Sequence, residues 1–322
     1  MSAHPGTNGR RGLIVTFTAN PSVDRTAEVP ELRRGAVLRA TRTRIDGGGK
    51  GVNVTRALAA NGYRSLAVLP AGGPEGVQLL DLLNSQQLDT RPVPIAGAVR
   101  ANVTIVEPDG TTTKINEPGP TLSDDELHAL TDALLLAADG AEWVVLSGSL
   151  PPGAPGDLYA SLTERLHAAG TRVAVDTHGS ALRASCAARP DLIKPNRREL
   201  TEASRMEVNT IADARAAADL LRAAGAGTVL ASLGHDGAVL VEQGGSYHAT
   251  AAVAAPRSTV GAGDAMLAGF LAGGATGPTA LAEAVAWGTA AVSLPGSRMP
   301  TPIDLDRDAV RVTQLDTLEV TP

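Results

Sequence analysis

The 322-residue chain is poor in aromatic side chains, which make up 2% of it, and it has a single cysteine, Cys186. So few rings leave almost no stacking platforms for bases, which argues against nucleic-acid binding and leaves the core to alanine, valine and leucine. One cysteine permits neither an intramolecular disulfide nor a cysteine-rich zinc site. It reads as a small buried apolar residue in a reducing, cytoplasmic setting. The six histidines are scattered without an HExxH-type pairing, so none is assigned to a metal. A formal charge of −6 argues against a nonspecific polyanion binder while leaving room for a local cationic pocket. No apolar run is long enough to span a membrane, and Leu13 to Ala19 is also too short for a signal segment.

What is present is an ordinary hydrophobic content of 43%, laid out in alternation. Beyond about residue 140, the patterning predicts strands at Trp143 to Leu146, Arg172 to Asp176, Asp191 to Lys194 and Thr228 to Ser232. Between them it predicts helices at Gly156 to Ala169 and Ile211 to Ala224. Repeated βα units imply an α/β fold with a mainly parallel sheet, whose ligands gather at the carboxyl ends of the strands. Ser147 to Pro152, Asp176, Lys194 to Asn196 and Ser232 to Gly234 all fall at such ends. Ser123 to Glu126 is a capping-box pattern, and Asp139-Gly140 stops the helix it opens. Two segments break the pattern. Val37 to Ile45 alternates small or apolar residues with arginine, and Ala101 to Val106 pairs with Thr111 to Asn116 across Pro108-Asp109-Gly110. Together they suggest a small antiparallel sheet, or a pair of ordinary edge strands.

Chemistry concentrates in Ser258 to Asp264. Gly261 and Gly263 let the backbone approach an anion, and the apolar run Ala265 to Leu271 reads as a buried helix whose first amides can hold a phosphate. Asp264, in the first turn, is placed to take a proton from a hydroxyl, or to serve as an ordinary helix N-terminal carboxylate. A second segment, Asp46 to Asn53, leads into a helix from Val54 to Ala60. Its three glycines, Gly47 to Gly49, leave no side chains over the backbone, so a sugar can lie there with Lys50 or Asn53 on its oxygens. It is not a Walker A loop, because Gly51 stands where that loop needs Ser or Thr. It is not a dinucleotide fingerprint either, because Val52 and Met266 stand where the third glycine belongs. Asp24, after the first strand at Leu13 to Phe17, suits a sugar diol or an Asx turn. Arg100 and Asn102 are candidates for a sugar phosphate. Asn196 and Glu199 are candidates for the waters of a nucleotide-borne Mg2+, and equally for a helix cap.

Taken in order, Asn20 to Asp24, Gly47 to Asn53, Ser147 to Pro151, Lys194 to Leu200, Ser232 to Gly237 and Ser258 to Asp264 make the chain resemble the PfkB (ribokinase-like) family of sugar kinases. The nearest branch is that of the phosphosugar kinases. The resemblance implies one doubly wound α/β kinase domain over residues 13–310, a projecting antiparallel β lid from segments near 24–46 and 98–118, and a disordered tail over 1–12. It implies Asp264 as base, with the amides of Gly261, Ala262 and Gly263 as the anion hole. Asp24, Gly48, Gly49 and Asn53 would hold the sugar, and Lys50, Arg100, Asn102 and Ser147 its phosphate. Ser232, Gly234, Gly237 and Gly263 would line the ATP phosphates, Lys194 and Asn196 would approach ATP, and Glu199 with Asn196 would order Mg2+.

The activity implied is phosphorylation of fructose 1-phosphate, or alternatively of tagatose 6-phosphate or fructose 6-phosphate, by a homodimer joined through its β lids. No nucleic-acid or membrane partner is implied. A non-catalytic sugar-phosphate sensor could discard the base, yet Asp264 is present; a nicotinamide oxidoreductase would need the missing fingerprint.

Overall fold

Apolar runs that cover both faces of a strand alternate here with helices that cover the sheet. In the computed structural model, which describes residues 12–253 and 256–315, the first part of the chain runs β1 (Leu13–Thr18), β2 (Ser22–Glu28), β3 (Arg42–Gly48), α1 (Lys50–Ala60), β4 (Ser65–Ala71), α2 (Gly73–Ser85), β5 (Thr90–Pro94), β6 (Arg100–Val106) and β7 (Thr112–Ile115). Next come α3 (Asp124–Ala138), β8 (Ala141–Ser147), α4 (Leu158–Ala168), β9 (Arg172–Asp176), α5 (Gly179–Ala187), β10 (Leu192–Ile193), α6 (Arg197–Ser204), α7 (Ile211–Ala223) and β11 (Thr228–Ser232). The chain closes with β12 (Ala238–Glu242), β13 (Gly245–Thr250), α8 (Ala262–Ala272), α9 (Gly277–Val292) and β14 (Arg311–Gln314). The tail expectation falls almost wholly on Met1 to Arg11, which lie outside the described residues.

Among the described residues, ten strands form one sheet in the order β14-β13-β12-β11-β10-β9-β8-β1-β4-β5. Pairing is parallel from β11 to β5 and antiparallel from β11 to β14. Period two explains the uninterrupted apolar run of β8: Val144 and Leu146 enter the core on one face, while Trp143 and Val145 enter the core on the other. With so few rings, small residues set the packing distances. A Cβ on Gly269 of α8 would lie 2.7 Å from the Trp287 ring of α9, so these two helices approach as closely as they do because that position is glycine.

The other four strands form a separate sheet, β3-β2-β6-β7. The hairpin of β6 and β7 forms as expected, with Val103 opposite Ile115. Two expectations are corrected. The strand anticipated from Val37 begins only at Arg42, because β2 ends at Glu28 and offers nothing for earlier residues to pair with; Val37 is 88% exposed. Asp24 does not head an Asx turn, since it lies within β2, which Ser22 starts by pairing with both Gly48 and Arg100. Helix α1 also begins earlier than its apolar stretch suggests. Gly49, with φ +120°, serves as its N-cap, so Lys50 and Asn53 belong to its first turn. Helix α4 begins at Leu158, after Asp157 as N-cap, and not at Gly156.

Candidate active site

The site forms where the carboxyl ends of β1, β8, β9 and β10 meet the amino ends of α1 and α8. Thr18, Ser147 and Asp176 are aligned across three adjacent strands. Helix α1 sits close above them: a Cβ on Gly51 would fall 2.4 Å from Thr18 Oγ1 and 2.8 Å from Ser147 Oγ. Glycine at the position that excludes a Walker A loop is therefore what lets Lys50 and Asn53 come down onto the strand ends. Below, the buried Tyr159 hydroxyl donates to the carbonyls of Ser147 (3.1 Å) and Gly148 (3.3 Å), tying down the turn after β8.

Asp264 lies in the first turn of α8 and is 8% exposed. Its Oδ2 accepts from Asn53 Nδ2 at 2.8 Å. Gly261, the N-cap, adopts φ +78°, and the Ala262 amide closes a turn onto the Thr259 carbonyl at 3.4 Å. Beside it, Asp176 is wholly buried between two lysines: Lys50 Nζ donates to its Oδ1 at 2.7 Å, and Lys194 Nζ stands 3.1 Å from its Oδ2. The Oδ2 contact is one of charge and not a directed hydrogen bond. Lys50 also reaches Glu199 Oε1 at 3.3 Å. Lys194 Nζ comes within 3.2 Å of where a Gly263 Cβ would be, so an ammonium group lies against the start of α8.

Burial, and then repulsion from Asp176, push the Asp264 carboxyl up to about 6, against the pull of Lys50, Lys194 and the Asn53 amide. Burial alone would raise Asp176 too, but Lys194 and Lys50 outweigh it and hold that carboxyl below its usual range. Burial opposes the Lys50 charge, yet Asp176 and Glu199 more than compensate and raise the ammonium above its usual value. Two adjacent carboxyls thus have their affinities for protons driven apart, which is the arrangement of a base beside a permanent anion.

On the other side, the small sheet brings Asp24, Asn102, Arg100 and Gly48 together. Asp24 Oδ1 accepts from Ser22 Oγ (2.7 Å) and Asn102 Nδ2 (2.9 Å). A Cβ on Gly48 would lie 2.3 Å from Asp24 Oδ2, so only glycine lets the Asp24 carboxylate rest on the β3 backbone. Arg100 donates to the carbonyls of Asn20 (3.0 Å) and Glu117 (3.1 Å). Gly49, the third of the run, connects this side to Lys50.

The structure regroups two expected residues. Lys50, expected beside Arg100, faces Asp176 and Glu199. Ser147, expected on the same phosphate, is fully buried under α1 and donates to the Phe17 carbonyl at 3.5 Å. Asp176, at the centre of the cluster, was legible as one of the strand-end residues where ligands gather, but with no role of its own. The capping reading of Asn196 and Glu199 holds: Asn196 Oδ1 accepts from the Glu199 amide and Glu199 Oε2 from the Asn196 amide, both at 2.9 Å. Ser232 bridges to Asn196 from β11. Gly234 (φ +68°) and Gly237 (φ +80°) shape the turn after it, and a Cβ on Gly237 would strike the Ala249 carbonyl.

Among the described residues no group of three or more His, Cys, Asp or Glu side chains could enclose a metal ion. One buried carboxylate, Glu199, with Asn196 beside it suits a Mg2+ that arrives on nucleotide phosphates and keeps most of its waters. No helix among the described residues is long and apolar enough to cross a membrane.

Residues 16–303 match the model of the pfkB family carbohydrate kinases. The 1-phosphofructokinase of Rhodobacter capsulatus is 39% identical over 313 residues, covering 93% of this chain and 96% of that relative. The ATP-dependent 6-phosphofructokinase isozyme 2 of Escherichia coli strain K12 is 34% identical over 292 residues, covering 89% and 94%. The crystal structure of phosphofructokinase-2 from Escherichia coli in complex with substrates and products superposes with a TM-score of 0.85 at 33% identity, covering 90% of this chain and 96% of that one. A buried carboxylate at the glycine-flanked start of α8, a ribokinase-like α/β sheet and full-length similarity to such relatives have one joint meaning: the chain belongs to the pfkB family of carbohydrate kinases, and is an enzyme that transfers phosphate to a sugar substrate.

Proposed function

We propose that the protein transfers the γ-phosphoryl group of ATP to the 6-hydroxyl of fructose 1-phosphate, giving fructose 1,6-bisphosphate and ADP. The observation that carries this reading is Asp264, a buried carboxylate pushed up to about 6 at the amino end of α8, with Lys194 beside it. Asp264 takes the hydroxyl proton, the sugar oxygen bonds to the γ-phosphorus, and the bond from phosphorus to the ADP oxygen breaks in line. The Gly261, Ala262 and Gly263 segment, Lys194 and Lys50 offset the charge on the moving phosphoryl group without having to reorganise. Asp24, Gly48, Gly49 and Asn53 orient the sugar, Arg100 and Asn102 take its existing phosphate, and Ser232, Gly234 and Gly237 line the ATP phosphates. Glu199 and Asn196 would hold Mg2+ through water; when bound, the ion neutralises phosphate charge. Fructose 6-phosphate is a second reading, supported by the similarity to the Escherichia coli isozyme. Ile45 and Ile115, large apolar residues exposed on the small sheet, support a homodimer through that sheet.

The test is a panel of fructose 1-phosphate, fructose 6-phosphate and tagatose 6-phosphate with ATP and Mg2+, read as ADP release. Fructose 1-phosphate is expected to have the highest kcat/KM. A higher value for another sugar would replace the substrate, and no ADP release with any of the three would remove the activity.

A further inference from the structure

Helix α1 carries one arginine within a buried stretch, Gly51 to Leu58, whose other polar side chains, Asn53 and Thr55, are uncharged. Arg56 is 8% exposed, between Thr55 and Ala57, both at 0%. Its Nη1 donates to Asn53 Oδ1 at 3.1 Å and to Ser297 Oγ at 3.4 Å, and its Nε donates to Gln86 Oε1 at 2.9 Å. Asn53 in turn donates from Nδ2 to Asp264 Oδ2 at 2.8 Å. An asparagine amide has one accepting and one donating end, and a guanidinium has donors only. Arg56 can therefore satisfy only the oxygen end of Asn53, which leaves the amino end toward the carboxylate.

We propose that Arg56 is a positioning residue for phosphoryl transfer: it locks the Asn53 amide so that its NH2 group stays on the Asp264 carboxylate. Anchoring to Gln86 at the end of α2 and to Ser297 beyond α9 keeps the guanidinium itself from turning. A packing role would be met by an apolar side chain of similar length, without the cost of burying a charge. The charged groups that face Asp264 are Asp176, Lys50 and Lys194, with Arg56 adding a weaker attraction. Without the lock, Asn53 can turn its oxygen toward Asp264, and a favourable contact becomes a repulsive one. The carboxylate then requires a higher pH to form.

This inference rests on Asp264 being the base, and its test separates the two. Arg56→Met is expected to lower kcat about tenfold, leave KM for ATP within about twofold, and move the acid limb of kcat/KM up by about half a pH unit or more. Arg56→Lys, which restores one donor and the charge, should return the limb most of the way. In an Asn53→Ala background, Arg56→Met should change kcat by less than about twofold, because its intermediary is gone. Equal losses in both backgrounds, or an unmoved acid limb, would overturn the proposal. If Arg56→Met does not fold, the cycle of Arg56→Gln with Asn53→Ala carries the same test, since glutamine removes the charge and can present either end of its amide to Asn53. Retained turnover in Asp264→Asn would remove the base instead, whereas lost turnover there with an additive cycle would remove only the role of Arg56.

Discussion

The two sides of the active site are built on opposite principles. On the small sheet, Asp24 is held by two neutral donors, Ser22 and Asn102, over a glycine backbone, and Asp24, Asn102 and Arg100 are half-exposed. At the end of the large sheet, three carboxylates, Asp176, Asp264 and Glu199, and two lysines converge in a largely buried cluster. Neutral hydrogen bonds suit a polyhydroxyl ligand that must enter and leave. Charges taken out of water and held rigidly suit a reaction in which charge moves, because nothing has to rearrange as it does. In the proposed function, the small sheet would govern which ligand stays, and the buried cluster what happens to it.

The largest effect that bears on this contrast is expected from Asp264→Asn. Turnover should fall by roughly three orders of magnitude, in the range for loss of a general base, while the melting temperature at pH 7.5 rises by a few degrees. The rise follows from the sign of the shift. Between the ordinary carboxyl range and about 6 the folded protein holds a proton that the unfolded chain has released, so this group's contribution to stability falls as pH rises through that window. For the same reason, kcat/KM of the unaltered protein should decline as pH falls through about 6. A steady-state profile with a flat acid side, or a lower melting temperature for the variant, would break the assignment.

Asp176→Asn comes next. It strands the ammonium group of Lys194, whose side chain is 4% exposed, and breaking such a buried pair costs about 3 kcal/mol. Calorimetry should show a lower melting temperature, and the acid limb of activity should move to lower pH, since the repulsion that raises Asp264 is gone. Because the Asp176 carboxyl is held below its usual range, its own stabilisation is present at neutral pH and lost on acidification.

Gly48→Ala probes the other side. Its Cβ would meet the Asp24 carboxylate at 2.3 Å, so KM for the sugar phosphate should rise about tenfold or more with KM for ATP little changed. A uniform loss in both constants would show that the two sides are not separable. The smallest effect is expected from Ser123→Ala, which removes the capping box of α3 away from both: about 1 kcal/mol of stability and no change in kcat.

Much of the large sheet was legible in the sequence. The strands at Arg172–Asp176 and Thr228–Ser232 and the capping boxes at Ser123 and Asn196 coincide with those read from it, because each depends on residues within one turn or one strand. The strand Ser22–Glu28 was not, since SVDRTAE is largely polar and becomes a strand only by pairing with β3 and β6. The contact of Lys50 with Asp176 was not legible either, for a similar reason. Its partner Asp176 is 126 residues away, and nothing local to Lys50 distinguishes that neighbour from Arg100.

The sequence by itself determined the alternation of strands and helices, the glycine-lined turns and the presence of an acid at the start of α8, because these follow from periodicity, capping and the backbone freedom of glycine over short spans. Only the tertiary structure decided that this acid binds protons more tightly than an ordinary carboxyl, that Asp176 stands between two lysines, and that Asn53, 211 residues from Asp264 along the chain, donates to it. Protonation depends on burial and on the charges nearby, and both are set by which distant segments the fold brings together.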